Sequence, residues 1–194
     1  MQTELFNTSS IPDGFYWHCE PTRWQCGNGL TIVTDPKTDF WQRTHYGFQK
    51  DDGHCLFTTL TGDFRVTTEV HFKPRSQYDQ CGLMVRADAA HWIKLSTEFE
   101  NAQLSRLGSV VTNHGYSDWA TQDVASETTK RWYRATREGN DFLLESADDG
   151  ETWKQLRIAY LHNAPPALHV GPYACSPIGA AFEARFIRLE LHTT

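Results

Sequence analysis

The sequence lacks long hydrophobic runs and any excess of basic residues. No apolar stretch approaches the roughly 20 residues needed to cross a bilayer, and residues 1–14 lack the basic and apolar regions of a signal peptide. The net charge is −6 and the pI is near 5.8, which argues against nucleic acid or an anionic membrane surface as a partner. We therefore expect a cytoplasmic protein that binds neither.

The common signatures of metal and nucleophile chemistry are also missing. The five cysteines are odd in number and show no C-x-x-C spacing, so we interpret them as reduced thiols. The nine histidines show no H-x-H or H-E-x-x-H pattern, and there is no G-x-S-x-G elbow or supported glycine-rich phosphate loop. The sequence therefore predicts no metal site and no cofactor.

Period-2 alternation is what the chain has in quantity. Residues Asp63 to Phe72 place Phe64, Val66 and Val70 on one face and polar side chains on the other. About a dozen such segments follow one another between turn signals, and only residues 120–128 suggest a short helix. With no linker or internal repeat, the pattern predicts one all-β domain over residues 1–194, a sandwich or a barrel.

Residues 92–100 form the most informative of these segments. Ile93 and Leu95 alternate with Trp92, Lys94 and Glu98, so one face belongs to a core and the other carries an aromatic ring among charges. A solvated face seldom needs a tryptophan, whereas a sugar-binding face often has one. We therefore expect Trp92, Lys94 and Glu98 to face an open hollow.

Glu98 and Glu100 lie two residues apart on that polar face. Their Cα atoms would be about 6.6 Å apart at ~3.3 Å per residue, which is compatible with the carboxyl spacing of roughly 5–5.5 Å in retaining glycosidases. Any two exposed glutamates on a strand share this spacing. A structural alternative is a cross-strand charge network in which Arg86 pairs with Glu98.

Further polar and aromatic residues surround this strand in the sequence. Asp79 and Gln80 precede one strand, and Asp118 and Trp119 end a loop. Planar polar groups suit sugar hydroxyls and tryptophan offers a stacking surface. The alternative is structural: Asp79 would form a turn and Asp118 would cap the short helix.

One motif indicates local architecture. Residues 146–153 fit the pattern S-x-D-x-G-x-T-W, which resembles the Asp box of sialidases. Aspartate can accept hydrogen bonds from turn amides and glycine supplies a positive φ. Because a propeller would need several copies and the sequence has one, the motif predicts a β-hairpin.

Several of these motifs occur in an order that resembles the DUF1349 family. They are residues 78–86 (YDQCGLMVR), Trp92-Ile93-Lys94 with Glu98, residues 109–112 (SVVT) and residues 117–119 (SDW). The resemblance runs from about Phe15 to Phe186. It implies a concanavalin A-like jelly-roll sandwich of two antiparallel sheets, and the family includes a yeast protein named for regulation of enolase.

The resemblance also suggests where a ligand would bind. In such folds the concave sheet commonly holds glycans, an analogy from fold. Carried over residue by residue, the candidate binding residues are Trp41, Asp79, Gln80, Arg86, Trp92, Lys94, Glu98, Asp118 and Trp119.

Three functions remain open from the sequence. The first is a binding domain for a carbohydrate or a small polar metabolite, without chemistry of its own. The second is a glycan-cleaving enzyme in which Glu98 acts with Glu100 or Asp118. The third is a regulator that binds a metabolic enzyme.

Overall fold

Two large antiparallel β-sheets make up most of the molecule in the computed structural model, which describes residues 2–193. The first sheet has eight strands: β1 Gln2–Glu4, β3 Arg23–Gln25, β4 Leu30–Val33, β8 Phe64–Lys73, β13 Lys130–Glu138, β14 Asp141–Ala147, β15 Lys154–Tyr160 and β17 Glu183–Thr193. The second has seven: β2 Tyr16–His18, β7 His54–Thr61, β9 Gln80–Asp88, β10 His91–Phe99, β11 Leu104–Asn113, β12 Tyr116–Ala125 and β16 Ala167–Cys175. A separate hairpin joins β5 Phe40–Gln42 to β6 Gln49–Asp51.

All the strand pairs described in the two sheets are antiparallel. The eight-stranded sheet runs β15-β14-β13-β8-β17-β4-β3, with β1 also paired to β17. The seven-stranded sheet runs β12-β11-β10-β9-β16-β7-β2. The predicted all-β class is confirmed, and within residues 2–193 no helix is long and apolar enough to cross a membrane.

The main core lies between the two sheets. The inward sides of β9 and β10 supply Leu83, Val85, Ile93 and Leu95, all fully buried. Thr97 on β10 shares a 2.6 Å hydrogen bond with the Tyr133 hydroxyl of the opposite sheet. The alternation in the sequence predicted this face correctly, because side chains two residues apart share one side of a strand.

Two local predictions meet different outcomes. The Asp-box segment forms the β14–β15 hairpin as predicted, with Asp149 accepting hydrogen bonds from the amides of Glu151 and Thr152 at 2.9 and 2.7 Å. The predicted helix over residues 120–128 is wrong, because residues up to Ala125 belong to β12. This strand lies at a sheet edge with most of its side chains exposed, so the apolar alternation that marks a strand is missing.

Candidate functional site

The β5–β6 hairpin lies over the outer face of the seven-stranded sheet and creates a second apolar core there. Phe40 packs edge-on against Trp92, with ring centroids 6.2 Å apart, and against Tyr173 at 6.1 Å. Trp41 and Met84 belong to the same buried cluster. Trp92 is therefore 0% exposed and Lys94 only 3%, so the expectation that these two side chains face an open hollow is wrong, whereas Glu98 is partly exposed. A strand pattern does not reveal that a segment fifty residues earlier covers one of its faces.

Polar contacts also hold the hairpin on the sheet. Nη1 and Nη2 of Arg86 donate to the two carboxylate oxygens of Asp51, each at 2.7 Å. The amide of Gln42 donates to the Ser117 hydroxyl at 2.9 Å. Arg86 is 7% exposed and lies outside the cleft described below. Its partner is Asp51, so the alternative of an Arg86–Glu98 pair is wrong.

Beside the second core, the outer face remains open as a cleft of about 590 Å³, called the inner cleft here. Its floor is set by the strand register, which aligns Gln80 with Glu98 on adjacent strands. The next row contains Gly82 and Ser96, and a Cβ added at Gly82 would stand 1.9 Å from a backbone oxygen of the next strand. Only glycine therefore fits where β9 and β10 approach this closely. The walls come from the hairpin, from Trp119 and from three loops; besides Trp119, their members are Lys37, Asp39, Trp41, Tyr46, Phe48, Gln49, Lys50, Tyr78, Pro177 and Ile178.

A chain of hydrogen bonds runs along this floor. The Lys94 ammonium donates to the Phe40 carbonyl at 2.8 Å and to Gln80 Oε1 at 2.9 Å, and it lies 3.7 Å from the Asp39 carboxylate. Gln80 Nε2 in turn donates to Glu98 Oε2 at 2.7 Å. Because Lys94 can only donate, it fixes which end of the Gln80 amide faces Glu98.

The environment of Glu98 favours its neutral form. Enclosure of the carboxyl group raises its pKa from 4.5 to about 8; nearby Lys94 opposes the rise, while the charges of Asp39 and Glu100 add to it. At neutral pH the group is therefore mostly a carboxylic acid. Because Oε2 accepts the hydrogen bond from Gln80, Oε1 can carry the acid proton and donate a hydrogen bond to a ligand.

Glu100 differs sharply from its neighbour. It is partly buried, which opposes ionisation, but hydrogen bonds from Gln77 at 2.9 Å and Arg106 at 2.7 Å together lower its pKa. Two carboxyl groups on one strand face thus reside in opposite protonation states at neutral pH, an arrangement that can separate an acid from a base.

The other candidate residues lie in different places. Gln80, Lys94, Glu98, Trp41 and Trp119 all line the inner cleft. Asp79 does not line it: the side chain is 1% exposed and accepts hydrogen bonds from two loop amides, both at 2.8 Å, and from the Ser176 hydroxyl. The structure thus places Asp79 in the turn that precedes β9.

Asp118 lines a second cavity, which we call the outer groove. It occupies about 860 Å³ between the edge strands β12 and β15 and the turn of the β5–β6 hairpin. The Asp118 carboxylate forms an ion pair with Arg157 at 3.0 Å. It therefore does not share a cavity with Glu98 or Glu100.

Sequence reasoning missed the cleft residues that come from other segments. Asp39, Phe48 and Lys50 belong to the hairpin and Ile178 to the loop after β16. The aromatic run Phe40-Trp41 was the one available signal, because it is followed by polar residues and a positive-φ turn at Gly47. Within residues 2–193 no group of three or more His, Cys, Asp or Glu side chains is arranged to hold a metal ion.

Comparison with known proteins decides the family. The family model described as "Protein of unknown function (DUF1349)" matches residues 17–194. The chain belongs to the DUF1349 family. A curated relative, "Regulation of enolase protein 1" of Saccharomyces cerevisiae, is 37% identical over 162 residues, which are 84% of this chain and 80% of the relative.

Solved structures place DUF1349 among jelly-roll sandwiches. A functionally unknown protein from S. cerevisiae superposes with a TM-score of 0.87 at 34% identity, covering 93% of this chain and 97% of the other. A xylan β-1,4-xylosidase from Bacillus halodurans gives 0.78 at 13% identity over 98% of this chain and 39% of its own length. Carbohydrate-binding module CBM66 from Bacillus subtilis gives 0.59 at 13% identity, covering 91% and 95%. The last two likenesses show the fold alone.

Proposed function

We propose that this protein is a cytoplasmic domain that binds a carbohydrate or sugar-like metabolite in the inner cleft, without chemistry of its own. The observation that carries the proposal is the combination of a partly exposed Glu98 carboxyl, held in place by the buried Gln80 and Lys94, with exposed aromatic side chains in the same cleft. Sugars present alternating hydroxyls and apolar ring faces, so they need both kinds of surface.

The dimensions and exposure of the cleft support this. A volume of about 590 Å³ lies within the roughly 300–1,000 Å³ of small-molecule sites. Phe48, Tyr46 and Trp119 are 44%, 55% and 36% exposed, so part of each ring is free to contact a guest. The neutral Glu98 carboxyl would donate a hydrogen bond and still accept one.

The shared fold adds analogy to this geometry. One of the jelly-roll neighbours is named as a carbohydrate-binding module and another as a xylosidase. A shared fold does not by itself imply a shared ligand, so the proposal rests on the geometry of the cleft.

Thermal unfolding with a panel of sugars tests the proposal. Xylose, arabinose, glucose and fructose and their short oligomers are added to the purified chain at millimolar concentration. A sugar at 100 times its Kd stabilises the folded state by about 2.7 kcal/mol, which should raise the Tm of a chain this size by roughly 5–10 °C. Absence of any shift across the panel would contradict sugar binding.

A matched pair of variants locates the binding. Phe48→Ala removes an exposed ring of the inner cleft, while Leu5→Ala removes a side chain of similar exposure, 40% against 44%, that lines neither cavity. We expect the first variant to lose the sugar-induced Tm shift and the second to keep it. Equal shifts in both would place the sugar elsewhere.

The raised pKa of Glu98, to about 8, favours a second candidate function, cleavage of a glycosidic bond. A neutral carboxylic acid can protonate the leaving oxygen, and an ionised carboxylate such as Glu100 would then act on the sugar carbon or on a water. Glu98→Gln should abolish release of nitrophenol from nitrophenyl glycosides while the protein stays folded. Equal rates for the variant and the original chain would remove this candidate.

A third candidate is regulation of a metabolic enzyme, suggested by the name of the 37% identical yeast relative. Its test uses purified enolase as the partner. The immobilised chain should retain enolase in a stoichiometric ratio or change its rate. If the chain at micromolar concentrations neither retains enolase nor changes its rate, this role is contradicted.

A further inference from the structure

The inner cleft and the outer groove share a wall. Trp41, Tyr46 and Trp119 line both cavities. The Trp41 ring centroid lies 5.4 Å from that of Tyr46 and 6.4 Å from that of Trp119. These three rings form one aromatic ridge, and Tyr46 and Trp119 are partly exposed along it.

Beyond the ridge, the outer groove repeats the combination found in the inner cleft. Tyr116 and Tyr160 are 60% and 47% exposed and line only this groove. The Asp118–Arg157 ion pair supplies both acceptors and donors. Aromatic faces beside paired polar groups are again the features that suit a sugar ring.

The groove is held in shape by hydrogen bonds between the two sheets. The Asn113 side chain accepts from the amide of His162 at 2.8 Å and donates to the carbonyl of Tyr160 at 2.9 Å. These bonds tie the end of β15 to β11 across the sheet edges. The hairpin turn on the other side is fixed by Trp41 Nε1, which donates to the Thr44 carbonyl at 2.9 Å. A preformed wall lowers the ordering cost of binding.

We propose that the outer groove is a second binding subsite, which takes the distal units of a linear oligosaccharide whose terminal unit occupies the inner cleft. This inference rests on the proposed sugar binding and adds the ligand class: a chain of several units rather than a free monosaccharide. A chain crossing the aromatic ridge would contact both cavities, whose volumes of about 590 and 860 Å³ each suit a ligand of small-molecule size.

Calorimetric titrations with chains of increasing length test the inference. Xylose, glucose and fructose and their linear oligomers of two to five units are titrated into the full chain at neutral pH. We expect affinity to rise about 10-fold or more from the monosaccharide to the longest oligomer in at least one series. Equal affinity for one and for five units would overturn the inference while leaving the proposed function intact.

Variants on either side of the ridge give a second readout. Tyr116→Ala with Tyr160→Ala should weaken the longest oligomer roughly 3- to 10-fold, the loss expected for aromatic contacts, and leave the monosaccharide unaffected. Phe48→Ala should weaken both, and Leu5→Ala neither. Equal weakening of short and long chains by the outer-groove variant would also overturn the inference.

The results that would overturn the proposed function differ from those that would overturn only the second subsite. If no sugar of any length binds, both proposals fall together. If the double variant melts well below the original chain, the single variant Tyr160→Ala replaces it. The Tyr160 ring is partly exposed, and its removal leaves the backbone carbonyl of Tyr160 in place to accept from the Asn113 side chain.

Discussion

The stability of the protein should depend on pH through Glu98, and Glu98→Gln isolates that dependence. The pKa of Glu98 is raised from 4.5 to about 8. Between these values the folded state holds a proton that the unfolded state has lost, so the free energy of unfolding falls as the pH rises. The stabilisation is complete below pH 4.5, declines through this window, and is gone above about pH 8.

The magnitude follows from the two pKa values. At 1.36 kcal/mol per pH unit, the difference between 4.5 and about 8 sets an upper limit of about 5 kcal/mol. The cleft is open to water and Lys94 lies nearby as a counter-charge, so we expect about half of this, roughly 2–3 kcal/mol. A domain of ordinary stability would register such a change clearly, since total stabilities are about 5–15 kcal/mol.

Glutamine is the matched replacement because it has the shape of the neutral acid. Its amide oxygen can still accept the hydrogen bond from Gln80 Nε2, and its NH₂ group replaces the acid proton as donor. Glu98→Gln should therefore match the original chain at pH 5 and exceed its stability by roughly 2–3 kcal/mol at pH 9. Urea unfolding at each pH unit, followed by tryptophan fluorescence, measures the difference.

Glu100→Gln provides the control with the opposite sign. The pKa of Glu100 is lowered by its hydrogen bonds with Gln77 and Arg106, so its contribution is present above pH 4.5 and is lost as the pH falls further. This variant should cost about 0.5–1.5 kcal/mol at pH 7, and the cost should be smaller at pH 9 than at pH 5, because removing the Glu100 charge lowers the pKa of Glu98. A pH-independent difference for Glu98→Gln over the same range would refute the argument that enclosure keeps its carboxyl neutral.

Three further substitutions test the structural roles assigned above. Trp92→Ala should lower the free energy of unfolding by about 3–5 kcal/mol, because the ring is fully buried under the hairpin; a cost below 1 kcal/mol in urea unfolding would mean that the hairpin does not cover it. Asp79→Ala should cost about 2–3 kcal/mol, since two loop amides lose a buried acceptor, and Asp79→Asn should recover part of that loss. Arg86→Met should destabilise by about 3 kcal/mol by leaving Asp51 without its partner, and in a double-mutant cycle the further change Asp51→Asn should cost much less than it does alone; additive costs would show that the pair is not coupled.

The sequence allowed the sandwich and its core face to be predicted because alternation is a local property. In β10 the buried side of Ile93 and Leu95 follows from position along one strand. The burial of Trp92 does not follow from its position in the strand. It depends on Phe40, which lies far away in the chain and packs on Trp92 through the hairpin. Arg86 illustrates the same limit, since its carboxylate partner lies 35 residues earlier.

The candidate site was partly predictable for a related reason. Gln80, Lys94 and Glu98 come from two adjacent strands whose polar faces could be recognised in isolation, and the structure joins them in one hydrogen-bonded row. The opposite wall comes from the hairpin and from the loop that carries Ile178. No period or motif in the sequence fixes how these two segments approach the sheet.

The hairpin determines features of the cleft that the two sheets alone do not. The jelly-roll neighbours at 12–13% identity are alike in fold, and in this chain the segment 39–51 supplies six of the residues that line the inner cleft: Asp39, Trp41, Tyr46, Phe48, Gln49 and Lys50. The same segment places the carbonyl of Phe40 and the carboxylate of Asp39 around Lys94, and so helps to set the charge beside Glu98. The shape of the cleft and the proton affinity of Glu98 therefore both depend on this hairpin.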